Sequence, residues 1–238
     1  VAAYRHICFG VDRGAIGDVP RHLHHDGYAN LVLSGGFTEA AFAGRTRAVP
    51  GVVLLHGPFD AHANIEGTGR GSTIVRLPWH GGAPEGAYHV TDPDLLARLV
   101  EVNPCEAESA MMEMLSPVTT RDTCWIDRLA RALADEGTFE FGEWADANSI
   151  SAASLSRGFR NAYGVTAQRF RLEARTRKAW RRVMTEPAAL TRIAHECDFA
   201  DLAHMTRSIK AMTGAAPSAW RCHLRDVPLR SPAAVLRK

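Results

Sequence analysis

The sequence predicts an α+β chain: an antiparallel β-barrel or jelly roll first, then an all-α domain in which two helix-turn-helix units are joined by one long helix. Three observations predict it. Over residues 1–80 short apolar runs alternate with turn residues. Over Phe139–Arg225 the apolar residues recur at i, i+3, i+4 and i+7, the period of a helix face. The charge divides at the same place: residues 1–148 hold 11 Lys+Arg against 20 Asp+Glu, and residues 149–225 hold 14 against 5. An acidic half followed by a basic half fits a module for a small ligand or a protein, then one for a polyanion. The 238 residues are 46% hydrophobic, enough for one or two cored domains.

The strand candidates are Leu31–Leu33, Phe37–Phe42, Val52–Leu55 and Ser72–Leu77. Ser34-Gly35-Gly36, Pro50-Gly51, Gly57-Pro58 and Gly67–Gly69 punctuate them. Trp79–Thr91 is rich in Gly and Pro and reads as a linker. Asp92 then opens a helix with Leu95, Leu96, Leu99 and Val102 on one face, and Asn103-Pro104 breaks it. Ala107–Leu115 makes a second helix. These elements give a barrel over 1–90, two helices over 91–116 and a boundary near Ser116–Arg121. The all-α domain follows over 121–225, and a loose tail over 226–238.

That domain opens with a helix over Thr123–Glu136, with Trp125, Leu129, Ala132 and Leu133 inward. A short helix (Phe141–Ala147) and a turn (Asn148–Ile150) lead to Ser151, a helix cap. Leu155, Phe159 and Ala162 then face the core, and Gly164 stops the helix. The plan repeats: Leu190, Ile193 and Ala194; a turn at Cys197–Ala200; the cap Asp201; the stripe Leu202, Met205, Ile209 and Met212; the stop Gly214. Pro217 starts a last helix that carries Trp220 and Leu224 inward. Thr166–Met184 joins the units, with Leu172, Thr176, Ala179 and Val183 at helical spacing and seven basic residues crowding the other faces. About 20 residues at ~1.5 Å each span roughly 30 Å, close to the ~34 Å of one DNA turn. A short helix, a tight turn and a second helix with an exposed polar face set a helix into a major groove, and this linker spaces two of them for successive grooves.

Residues 121–225 resemble the DNA-binding domain of the AraC/XylS transcription regulators. The second half of that pattern is met by Ile193, Ala194, Phe199, Asp201, His204, Arg207, Lys210, Gly214, Pro217, Trp220 and Arg221. The first half is met by Leu155-Ser156-Arg157-Gly158-Phe159 and Tyr163-Gly164. The chain departs from it at Asp198, where Gly is usual, and at Ala203, Met205 and Ile209, where Ser, Phe and Phe are usual. The resemblance implies that Ala153, Ser156 and Arg157 of the first recognition helix face bases, with Leu202, Ala203, Thr206 and Arg207 of the second. Arg207 pairing with a nearby acid is the alternative. Arg160, Arg169, Arg175 and Lys210 are the phosphate candidates. A regulator so built acts on double-stranded promoter DNA and, as an activator, on RNA polymerase. Small-molecule effectors and homodimers go with the family.

A fainter resemblance links the N-terminal region to cupin-like sensor domains through His22-Leu23-His24-His25, Ser34–Gly36, Pro50-Gly51 and Pro58 with His62. His22, His24 and His62 are therefore effector-pocket candidates, and a divalent metal on the same three is the alternative, since imidazole suits zinc, iron or copper. Glu39 is a poorly placed carboxylate for that set. No cofactor is required. Five cysteines without a Cys-x-x-Cys pair, no membrane-length apolar run and no signal peptide fit a reducing cytoplasm. No Gly-rich phosphate loop, nucleophile elbow or His-Glu-x-x-His motif marks an enzyme. The expected function is an effector-responsive activator of transcription. A cupin-type metalloenzyme with a helical appendage and a protein-interaction module reusing the helix-turn-helix are the competing readings.

Overall fold

Strand β4 (Tyr28–Ser34) divides its side chains between two cores. Ala29 and Leu31 join one apolar cluster and Val32 joins another. This follows from the period of two along a strand, and it sets the plan of the N-terminal unit. The computed structural model describes residues 3–4, 9–12, 18–65, 71–118, 124–135 and 139–226. It divides the chain into two units, one within Ala3–Thr123 and one from Cys124 onward.

The first unit holds β1 (Ala3–Tyr4), β2 (Gly10–Asp12), β3 (Val19–Leu23), β4, β5 (Phe37–Ala41), β6 (Gly44–Ala48), β7 (Val52–His56), β8 (His62–Ile65), β9 (Thr73–Pro78), β10 (Gly86–His89) and β11 (Ser116–Pro117). They form a five-stranded sheet in the order β1-β3-β8-β5-β6 and a six-stranded sheet in the order β11-β10-β7-β4-β9-β2. Pairing is antiparallel except between β1 and β3. The antiparallel β-rich unit expected from the sequence is present as two sheets, and among the described residues neither closes on itself into a barrel. The chain leaves β6 through Pro50-Gly51 and enters β7 in the other sheet, and Pro50 has no N–H to extend a ladder there.

Val32, Phe37, Ala48, Val52, Leu54 and Ile74 fill one end of the space between the sheets. On the outer face of the six-stranded sheet Ala29, Leu31, Val53, Leu55, Val75 and Leu77 pack under α1 (Pro93–Val102) and α2 (Pro104–Met114), through Leu96, Val100, Ala107 and Met111. Burial on both faces explains why Val52–Leu55 is an unbroken apolar run. Asp92 and Asn103 cap the two helices by accepting from Leu95 N and Glu106 N, with Pro at the start of each. The supposed linker Trp79–Thr91 is largely structural. β10 pairs with β7, and Trp79, Tyr88 and Val90 are buried.

The second unit is α3 (Trp125–Asp135), α4 (Phe141–Ala147), α5 (Ala152–Tyr163), α6 (Ala167–Thr185), α7 (Leu190–Glu196), α8 (Leu202–Thr213) and α9 (Pro217–Asp226). Helix α6 is its axle: α3, α5, α7, α8 and α9 all pack on it. Its buried face is broader than the sequence period suggested. Phe170, Ala174, Arg177 and Trp180 are buried beside Thr176, Ala179 and Val183, so Arg177 leaves the exposed basic set. The expected tail beyond Asp226 and the turn at Gly67–Gly69 lie outside the described residues.

Candidate nucleic-acid interface and interior histidine cluster

Helices α5 and α8 are built alike, 50 positions apart. Ser151 Oγ accepts from Ser154 N at 3.2 Å, and Asp201 Oδ1 accepts from His204 N at 2.6 Å. Leu155, Phe159, Ala162 and Tyr163 are buried in α5; Met205, Ile209, Met212 and Thr213 are buried in α8. Both helices end on a left-handed glycine, Gly164 at φ 72° and Gly214 at φ 80°. The turns before them match too. Ser149 and Asp198 are left-handed at φ 54° and 58°, and the following amides, of Ile150 and Phe199, reach back five residues to Ala145 O and Ala194 O at 2.9 Å each. At Asp198 the glycine usual in the family pattern is the signal of a left-handed residue. Ser149 carries no such sign, because serine has no marked preference for that region.

Burial sorts the candidate contacts. Ala153, Ser156, Arg157 and Arg160 of α5 are exposed, as are Ala203, Arg207 and Lys210 of α8, while Leu202 and Thr206 are half-buried at the rim of the same face. The linker arginines are placed differently. Arg169 Nε donates to Glu173 at 2.7 Å. Arg175 donates to the Asp198 carbonyl at 2.7 Å and lies over the Phe199 ring at 4.9 Å. Asp198 also takes Arg171 at 2.6 Å, and Arg182 joins Glu186 and Glu196. Both α6 phosphate candidates are thus engaged inside the protein, and Asp198, the departure from the family pattern, anchors the second turn to α6. Hydrogen bonds from Arg192 and Arg182 hold the Glu196 carboxyl down to about 2.

Between the sheets of the first unit the chain collects a second group. His22, His24 and His62 do converge: their ring centroids lie 5.0 Å, 4.3 Å and 5.7 Å apart, and all three are buried. His62 opposes His22 in the β3–β8 ladder. Beside them lies a set the sequence did not single out as a unit, His56 between two carboxylates. Its Nδ1 is 3.0 Å from Asp60 Oδ2, and its Nε2 is 3.1 Å from Glu39 Oε2, close enough for ion pairing though not aligned as a hydrogen bond. Burial opposes charge on this imidazole, but Glu39 and then Asp60 outweigh it and push the group up to about 10. Burial, then the neighbouring His56, holds His62 well below the usual histidine range, and burial with Glu39 and Asp60 holds the Tyr28 phenol well above its own. Tyr28 Oη is 3.0 Å from His62 Nε2. The turn bringing Asp60 under His56 passes through Phe59 at φ 57°, an uncommon conformation for an aromatic residue.

A cavity of about 220 Å³ opens against this group. Glu39, His56, Asp60, Thr46, Glu85 and Tyr88 are among its walls. The expected pocket residues His22, His24 and His62 are not; the His56 layer lies between them and the cavity, with His56 and His62 stacked at 4.3 Å. Among the described residues no helix is long and apolar enough to cross a membrane.

Residues 144–223 match a protein-family model described as a helix-turn-helix domain. No curated protein matches the chain. Among solved structures, a probable AraC family transcriptional regulator from Rhodopseudomonas palustris CGA009 is 18% identical, over 42% of this chain and 95% of that one, with a TM-score of 0.39. The DNA-binding domain of AdpA, solved in complex with a target DNA, is 22% identical over 42% and 92%, with a TM-score of 0.39. Wild-type ToxT from Vibrio cholerae strain SCE256, solved with an unsaturated fatty acid bound, is 12% identical over 93% and 94%, with a TM-score of 0.42.

Proposed function

We propose that this chain is a sequence-specific transcription activator of the AraC type, which reads two successive major grooves with one polypeptide through the region whose residues 144–223 match a helix-turn-helix family model. The observation that carries this reading is the pairing of α5 with α8: equal length, equivalent caps, stops and turns, and an exposed face on each holding the base-contact candidates. Helix α6, with 19 residues, is about 28 Å long, against ~34 Å for one DNA turn.

Arg157 offers a fork suited to guanine O6 and N7, and Ala153 and Ala203 offer methyl groups suited to thymine. Arg160 and Lys210 serve phosphates. The first unit is the sensor. Its cavity carries Glu39, Asp60 and Glu85 around a single buried imidazole, which suits a small polar ligand better than a long acyl chain. A ligand preferring one state of the sensor shifts the regulator's population between states. Homodimerisation and contact with RNA polymerase belong to the same proposal.

Selection of bound sequences from a random DNA pool at near-physiological salt tests the reading, with wild type and Arg157→Ala side by side. The expected result is two short enriched blocks about one helical turn apart, with the first block relaxed in the variant. Binding that is salt-sensitive but enriches no sequence would overturn specific readout, and no binding at all would favour a protein-interaction module.

A further inference from the structure

We propose that the cavity beside Glu39, His56 and Asp60 binds a small aliphatic cation, a primary amine whose ammonium group meets the buried Glu39 carboxylate. The inference rests on the reading of the first unit as a sensor and names the class of ligand that the sensor takes.

The walls select the charge. Glu39, Asp60 and Glu85 line the cavity, and no lysine or arginine stands among its lining residues. His56 lies between Glu39 and Asp60. One proton on its ring cannot balance two carboxylates, so this wall is net negative in either state of the imidazole. A carboxylate ligand would enter against like charge. Glu39 carries the need for a donor. It is 4% exposed, and its Oε2 meets no aligned hydrogen-bond donor, although His56 Nε2 is 3.1 Å away. A buried carboxylate oxygen without a donor is costly. Glu39 is itself a wall, so a bound group reaches it. An ammonium group brings three N–H donors and the complementary charge, whereas a hydroxyl brings one donor and no charge.

The remaining walls select the body of the ligand. Leu54, Ala87 and Tyr88 present apolar surface, which suits a short hydrocarbon chain. About 220 Å³ is more than a bare ion fills, and it is below the ~300–1,000 Å³ of sites for drug-sized molecules. Pro117 and Val118 also line the cavity, and Val118 N donates to Ala87 O at 3.0 Å. They are the last described residues before the second unit begins at Cys124. An occupant therefore lies against the β10–β11 pair from which the chain leaves the sensor.

The test titrates the full chain, with no DNA present, with linear primary amines of two to six carbons and their α,ω-diamines. The alcohol and the carboxylate of matching length are run beside them at equal ionic strength. Calorimetry reads the binding and thermal melting reads the stabilisation. At least one amine should bind at one equivalent per chain and raise the melting temperature. Its alcohol should bind about 10-fold more weakly or worse, and its carboxylate should not bind. Glu39→Gln keeps the shape and should weaken the amine by about 10–100-fold, the worth of a hydrogen bond to a charged group. Glu101→Gln, on the exposed side of α1, should leave it unchanged. Cooperative melting of ligand-free Glu39→Gln separates a lost contact from a lost fold, and the ligand series decides the charge preference on wild type alone. No saturable binding by any amine below about 10 mM would overturn the site. So would an alcohol or carboxylate that binds as tightly as its amine, or an unchanged affinity in folded Glu39→Gln. None of these results touches the DNA selection, so the two readings fail separately. Amine binding that leaves affinity for the selected DNA unchanged would support the site and count against its coupling to the second unit.

Discussion

The two helix-turn-helix units share a backbone and are held to α6 by different forces. In the first, Phe159 and Tyr163 stack at 4.7 Å, Phe170 of α6 meets them edge-on at 5.2 Å and 5.1 Å, and Tyr163 Oη donates to Asp127 of α3 at 2.8 Å. In the second, Ile209 and Thr213 stand at the positions of the aromatic pair, and polar links do more of the holding: Arg171 and Arg175 to Asp198, Arg182 to Glu196, and Trp220 Nε1 to Thr213 at 2.8 Å. One geometry is thus reached by apolar packing in one half and by charge in the other. Apolar packing tolerates salt and mild acid; exposed ion pairs do not.

Four experiments would break or sharpen that contrast, beginning with the largest effect. Phe159→Ala should cost about 3–5 kcal/mol, the usual range for emptying an aromatic site, while Ile209→Ala should cost about 2–5 kcal/mol; chemical denaturation of the two variants compares them, and equal costs would weaken the case that the first half relies more on packing. Gly158→Ala should cost about 1–3 kcal/mol, because a methyl there would sit 2.9 Å from the Trp125 ring; an unchanged melting temperature would show that the indole yields freely. Asp198→Ala should lose about 1–2 kcal/mol from its left-handed backbone plus up to about 1 kcal/mol per ion pair. Asp198→Gly keeps the second loss and relieves the first, so the gap between the two variants isolates the backbone cost. The smallest effect concerns pH. Glu196 is held down to about 2, so its contribution is present above its ordinary value near 4.5 and fades as pH falls toward 2. Hydrogen exchange over that window should show α7 and α8 amides opening before those of α4 and α5. The reverse order would contradict the contrast.

Much of this was legible in the sequence wherever one residue's local preference and its tertiary role agree. Ser151, Asp201, Gly164 and Gly214 declare the ends of α5 and α8 because cap and stop chemistry is local. Strands β4, β7 and β9 of the six-stranded sheet announced themselves as apolar runs, whereas β10 lay in the stretch read as a linker. Strand β6, Gly44-Arg-Thr-Arg-Ala48, did not, because its two arginines hide the alternation. The partners of the linker arginines were hidden for a different reason. Composition shows positive charge but not what it faces, and Asp198, Glu186 and Glu196 lie 14 or more residues away from, or a single turn beyond, the arginines that hold them. The three converging histidines were picked out, but the Glu39–His56–Asp60 group that walls the cavity was not, since Glu39 meets His56 only across the two sheets and Asp60 only through the left-handed turn at Phe59.

In the proposed reading, α6 clamps two DNA-reading helices at a fixed separation. Once a bound site is known, affinity should be measured on that site with 5 or 10 base pairs inserted between its two blocks, about a half and a whole turn of B-DNA. Both insertions should reduce binding to that of a single block, because a continuous helix can neither rotate by half a turn nor stretch by a full one. Binding that survives either insertion at close to its original strength would contradict a rigid clamp and assign the two helices to independent contacts.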